Sequence, residues 1–188
     1  MADLNNRRRR HTKGIPIMLL SIRLSIANLI CPEAADERRQ LARAAEMDAL
    51  TGVANRRAFD LARPAAEADH ETAFIIFDAN NFGKVNKLYS QTDGDETLKE
   101  IAAALKDAAG RFGYSERVFR LGGDEFVVIC GAAVAAEIRD LAETFLCEYD
   151  GLCDKPRLLV TISGTIGATL EDAEAGLQAR KNWSKENV

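Results

Sequence analysis

The chain has 188 residues, of which 47% are hydrophobic and 29% charged, enough to bury one core and carry an extension. Residues 1–13 set Arg7, Arg8, Arg9, Arg10 and Lys13 against Asp3, a net +4, which leaves −8 on the remainder out of an overall −4 and excludes general nucleic-acid binding by the main domain. The four cysteines, Cys31, Cys130, Cys147 and Cys153, form no CxxC pair, and His11 and His70 supply no ligand spacing; this argues against zinc and for a reducing, cytoplasmic setting.

After the arginines comes IPIMLLSIRLSIANLIC, residues 15–31, which superficially resembles a signal peptide or anchor. It falls short of the ~20 residues that span a bilayer. Arg23 also sits at its middle, and Ser21, Ser25 and Asn28 lie opposite Ile15, Leu19, Ile22, Ile26 and Leu29 on a helical wheel. An amphipathic helix fits better, packed on the protein itself or on a second copy, or making peripheral membrane contact through residues 7–31. Pro32 breaks the run. Residues 35–50 then read as a charged helix with a thin stripe of Leu41, Ala44, Ala45 and Met47, too short for a coiled coil by the heptad criterion.

Thr51-Gly52 marks a turn, and Asn55 caps a helix running toward Pro64. AFIIF, residues 73–77, reads as a strand buried on both faces and ending in Asp78, which is either a helix cap or a site residue. NNFGKVNKLYS forms a short helix or turn. From Asp93 an amphipathic helix follows, with Leu98, Ile101, Ala102 and Leu105 on its buried face and Gly110 as its stop. ERVFRL and EFVVIC flank a turn at Gly122-Gly123-Asp124-Glu125. Residues 132–149 read as one helix carrying Cys147, residues 157–163 as a strand, and residues 170–183 as a last helix. Cys130 and Cys147 read as small core residues. The pattern predicts an α+β domain whose helices cover a mostly antiparallel sheet.

Consecutive elements tend to be neighbours, so the 117–130 hairpin should lie against the AFIIF strand and bring its tip toward Asp78. Carboxylates brought together repel and raise one another's pKa, and a divalent cation with phosphate oxygens removes the conflict. The glycines would let a phosphorylated ligand pack on the hairpin backbone. An ordinary turn with solvated acids is the plain alternative.

DALTGVANRR (48–57), DANNFGKVN (78–86), GDETL (94–98) and RLGGDEF (120–126) resemble, in order and spacing, the signatures of GGDEF domains, the diguanylate cyclases. The resemblance implies a palm-like fold shared with nucleotidyl cyclases and polymerases over residues 47–188, with residues 1–46 as a helical extension. It implies condensation of two GTP into cyclic di-GMP and two pyrophosphates in an antiparallel homodimer. It assigns Asp78, Asp124 and the Ala79 carbonyl to Mg²⁺ or Mn²⁺. Asp78, Asp124 and Glu125 take catalytic roles. Asn81, Phe82 and Gly83 form the phosphate loop, Gly122 and Gly123 the floor under the substrate, and Asn86 and Asp95 the guanine readers. A carboxylate at Asp95 accepts from guanine N1–H and the 2-amino group, donors that adenine lacks; leaving each unpaired costs about 1–3 kcal/mol. Asp48 and Arg57 are expected to fasten the entry turn, and Phe126 to sit in the core.

The chain departs from the family pattern in places. Gly113 and Glu116 stand where the inhibitory RxxD has its arginine and aspartate, with Arg111 out of register. Gly83 stands where lysine is usual, with Lys84 as its neighbouring substitute, and Lys87 where aspartate is usual. The chain after VTIS is shorter than the family's, leaving Arg180 and Lys181 as candidates for the triphosphate. The competing readings are an active cyclase, a catalytically weak GGDEF module that binds GTP or a protein, and a related transferase making another cyclic nucleotide.

Overall fold

The computed structural model describes residues 32–149 and 156–186, so the expectations for residues 1–31, including peripheral membrane contact, lie outside the described residues. The chain divides into two compact units between Ala45 and Glu46. In the first, helix α1 (Pro32–Ala45) has Leu41 64% exposed. Among the described residues no helix is long and apolar enough to cross a membrane.

The second unit runs β1 (Ala54–Asn55), α2 (Arg56–Glu67), β2 (Thr72–Asn80), α3 (Phe82–Leu88), α4 (Gln91–Gly110), β3 (Val118–Gly122), β4 (Glu125–Gly131), α5 (Ala135–Ala142), β5 (Leu146–Tyr149), β6 (Leu158–Gly167) and α6 (Leu170–Glu186). The six strands form one sheet in the order β1-β3-β4-β2-β6-β5, antiparallel except for the β1–β3 pair.

The apolar run of β2 places it at the centre of that sheet, and alternation splits its side chains between two cores. Phe74 and Ile76 join Phe59, Phe119, Val127, Ile129, Leu170, Ala173 and Leu177 beneath α2 and α6. Ile75 and Phe77 join Val128, Phe126, Val160, Ile162, Ile101, Leu105 and Ile138 beneath α4 and α5. Phe59, Phe74, Phe77 and Phe126 are fully buried, each contributing about 1.5–3 kcal/mol by transfer from water. Continuing the alternation, Asp78 falls on the α6 face.

Asn55 caps α2 as expected, its Oδ1 accepting from the Ala58 amide at 3.1 Å. Helix α2 runs three residues past Pro64. Helix α4 starts at Gln91 rather than Asp93 because Ser90 caps it, accepting from the Asp93 amide at 3.1 Å. Residues 132–149 are not one helix. After a short 3₁₀ turn, α5 ends at Ala142 and Leu146–Tyr149 forms the edge strand β5, so Cys147 sits half-buried on a strand. The second edge of β6 takes β5 as its ladder partner, a tertiary demand that outweighs local preference. The β6 strand itself extends to Gly167. Cys130 is in the core, where burial pushes its thiol up to about 11.

Gly164 faces Phe77 across the β2–β6 ladder, and a Cβ there would stand 2.6 Å from the Phe77 ring and 3.0 Å from Arg139 Cγ. Gly164→Ala should therefore destabilise the domain by about 1–3 kcal/mol through overpacking, read as a lower urea midpoint at unchanged slope.

Candidate active site

The β2–β4 register sets Asp78 directly opposite Glu125, so the end of the central strand and the start of the hairpin's second strand coincide. The ladder to β4 stops there, whereas β2 continues through Ala79 and Asn80 paired with β6 alone. Main chain beyond Asp78 therefore has a strand on one side only.

The turn before Glu125 is built by two glycines at φ +150° (Gly122) and +53° (Gly123), the second in the left-handed region that side chains disfavour. A Cβ on either would meet no atom within 4 Å, so the space over the turn is open. Arg120 closes the turn from beneath. Its Nε and Nη2 donate to the Gly123 carbonyl at 3.0 and 2.7 Å, while Nη1 reaches Asp48 Oδ1 at 3.0 Å. Asp48 also accepts from the Thr51 amide and hydroxyl at 2.9 and 2.6 Å. Burial pushes the Asp48 carboxyl up, but the Thr51 hydrogen bonds and the Arg120 guanidinium outweigh it and hold it below its ordinary value. The entry turn is thus fastened to the hairpin by Asp48 and Arg120; Arg57 is exposed on α2.

Asp124 is half-buried, and burial followed by the Asp78 charge raises its pKa, against the opposing influence of its own backbone, Lys181 and Arg120. Asp78 is thus one of the charges that act on Asp124. On α6, Lys181 Nζ stands 2.6 Å from Asp78 Oδ1. Glu125 is exposed across from Asp78. Among the described residues no cluster of three or more His, Cys, Asp or Glu side chains gathers. The oxygens of Asp78, Asp124 and the main chain near Ala79 are hard donors of the kind that suits Mg²⁺ or Mn²⁺, and would supply only part of a coordination shell.

A cavity of about 1100 Å³ opens beside Asp78, lined on one side by Asn80, Asn81 and Lys84 and on the other by Arg180, Lys181 and Trp183. Asn81, in the left-handed conformation at φ 66°, turns the chain from β2 into α3 and donates to the Leu159 carbonyl at 3.0 Å. Phe82 packs on the core, and Gly83 is exposed with open space where a side chain would be. Asn80 is fixed by donation to Thr161 and Ser163 hydroxyls, each at 2.9 Å. Asn86 and Asp95 lie outside the cavity walls; Asn86 rests against Gly94, the residue before Asp95, where a Cβ would stand 2.1 Å from its Oδ1.

Of the two cations expected to hold a triphosphate, Lys181 faces Asp78. Arg180 donates to Glu143 at 2.9 Å and to the Gly164 carbonyl at 2.6 Å, which ties α6 to β6 and to the end of α5. Sequence reasoning did not single out Asn80, Ser163 or Trp183 as cavity residues, nor Arg120 as the support of the turn. Only the presence of Arg120 at the head of RLGGDEF could have pointed to it.

Residues 45–184 match the family described as diguanylate cyclase, GGDEF domain. The chain belongs to the GGDEF family. It is 34% identical over 169 residues to diguanylate cyclase TpbB of Pseudomonas aeruginosa (strain UCBPP-PA14), a match covering 80% of this chain and 38% of the relative. To diguanylate cyclase DgcN of Escherichia coli (strain K12) it is 32% identical over 145 residues, covering 72% and 35%. The chain thus spans little more than a third of the length of these curated relatives. The GGDEF domain of DgcB from Caulobacter crescentus, solved in complex with c-di-GMP, superposes with a TM-score of 0.57 at 26% identity, over 73% of this chain and 91% of that one. The mixed sheet flanked by helices is the palm-like GGDEF fold.

Two outcomes follow from these contacts. A carboxyl whose folded pKa is raised costs stability once ionised; the loss sets in as pH rises past the ordinary carboxylate value and is complete above the folded one. Asp124→Asn should accordingly raise the melting temperature of the ligand-free protein at pH 7, with the gain fading toward pH 4, about where an ordinary carboxyl takes up its proton. Arg120→Ala leaves Asp48 and the Gly123 carbonyl without their shared donor, and should lower stability by about 1–3 kcal/mol in urea unfolding.

Proposed function

We propose that this domain is a diguanylate cyclase that condenses two GTP into cyclic di-GMP with release of two pyrophosphates. The observation that carries the reading is the meeting of Asp78 and Asp124 beside a lysine and an open cavity, under a glycine turn with room above it. Such a site favours a cation and a polyanion together.

Asp78, Asp124 and the Ala79 carbonyl would hold Mg²⁺ or Mn²⁺, which would neutralise the triphosphate and acidify the attacking hydroxyl. Lys181, on a flexible stem, passes from Asp78 to phosphate oxygens, and Lys84 meets them from the opposite wall of the cavity. Amides around Asn81, Phe82 and Gly83 face the same phosphates. Asp95 accepts from N1–H and the 2-amino group of guanine, with Asn86 beside it.

The 3′-oxygen of one GTP bonds to the α-phosphorus of the other as the bond to the bridging oxygen of pyrophosphate breaks. Asp124 would be taken up as a ligand of the cation, and Glu125, exposed across from Asp78, would accept the hydroxyl proton. Each domain presents one such site, so the symmetric product calls for an antiparallel homodimer in which each subunit contributes one GTP.

The engagement of Arg180 with Glu143 and Gly164 favours a second reading, a module that binds GTP with little turnover. Purified protein given GTP and Mg²⁺ should form cyclic di-GMP, detected by mass, and Asp124→Ala should abolish it. Asp95→Ala should weaken GTP binding about tenfold or more without weakening ATP binding. GTP binding without pyrophosphate release at high protein concentration would select the second reading.

A further inference from the structure

The start of α4, on either side of Asp95, is held from outside the helix by the edge strand β5. Tyr149, the last residue of that strand, donates from its hydroxyl to the Asp93 carbonyl at 2.9 Å. The Thr97 hydroxyl lies 2.9 Å from the same carbonyl and within hydrogen-bond reach of the Tyr149 hydroxyl, so two hydroxyl protons are shared among the three contacts of one triangle. Thr97 is 1% exposed, the one buried polar side chain among the described residues, so this network is shielded from competing water. It straddles Asp95 in the chain: the carbonyl two residues before it and the hydroxyl two residues after it are fixed to one phenol.

The same phenol ring also packs on the residue that follows α3. Tyr89, immediately after α3, packs its ring 4.6 Å from that of Tyr149 and donates to the Pro156 carbonyl at 2.6 Å. Helix α3 bears Asn86, whose side chain lies against Gly94. A tyrosine pair on the β5 side therefore braces both helices that hold Asn86 and Asp95, while Tyr149 itself reaches neither the metal carboxylates nor the cavity beside them.

We propose that Tyr149, acting through Thr97 and the Asp93 carbonyl, is a positioning residue that sets the place of Asp95 and with it the discrimination of guanine from purines lacking the 2-amino group. The proposal rests on the reading of Asp95 as the guanine acceptor. Loss of the phenol hydroxyl frees the Asp93–Thr97 turn to shift. A carboxylate that must meet two donors at once is more sensitive to such a shift than one that meets only N1–H, as in inosine.

The test compares binding of the α,β-methylene analogues of GTP and ITP, which cannot release pyrophosphate, by calorimetry on the full chain with Mg²⁺. Wild-type protein prefers the guanine analogue. Tyr149→Phe, which keeps the ring, lowers that preference about threefold to tenfold with the inosine affinity nearly unchanged. Thr97→Val lowers it likewise, and Thr97→Ser, which restores a hydroxyl, recovers it; this pair decides the matter if Tyr149→Phe does not fold. An unchanged preference in Tyr149→Phe and Thr97→Val, or equal losses for both analogues, overturns the positioning role while leaving GTP recognition intact. A wild-type protein with no preference for guanine overturns the assignment of Asp95 and the inference with it.

Discussion

Two like charges forced together govern this domain. Asp78 ends the central strand and Asp124 sits on a turn of the neighbouring hairpin, and the folded chain holds them close enough, and out of water enough, that one resists ionisation. Nothing about packing requires carboxylates there. On the proposed reading a cation and an anionic substrate would offset that cost, turning the same repulsion into shared attraction. Ligand-free, the chain supplies a substitute cation from its own last helix, Lys181.

The separation of the two acids is set by elements that cannot drift. Seven consecutive residue pairs, from Thr72–Gly131 to Asp78–Glu125, fix β2 against β4, and a slip of one residue would send Asp78 to the α4 face. Arg120 fixes the other half. By gripping the Gly123 carbonyl and Asp48 together, it makes the conformation of the turn depend on the entry segment, 72 residues earlier in the chain. The site is thus a meeting of three segments rather than a property of the hairpin.

Much of this was legible in the sequence because it rests on local pattern. The unbroken run AFIIF reads as a strand covered on both faces, the spacing of Leu98, Ile101, Ala102 and Leu105 as one side of a helix, and two glycines before two acids as a tight turn. What was illegible depends on partners far along the chain. Leu146–Tyr149 continues the apolar content of α5 and becomes a strand because β6 offers an edge. Asp48 chooses Arg120 over the nearer Arg57. Arg180 and Lys181 are adjacent, and a step of about 100° around the helix decides which of them faces Asp78, a matter of how α6 lies on the sheet.

That last division has a physical logic. Helix α6 is seated by Leu170, Ala173 and Leu177, all buried in its first two turns, and its later turns need another hold. A guanidinium suits that task, since its planar Nη1 alone satisfies the Glu143 carboxylate and the Gly164 carbonyl together while losing little freedom per hydrogen bond. A compact ammonium on four methylenes suits the other. It pairs with Asp78 and, on the proposed reading, would be free to follow a phosphate oxygen without the helix moving. Exchanging the two side chains would conserve charge and composition yet leave the helix poorly anchored and the acids facing a cation too broad and too constrained to let go.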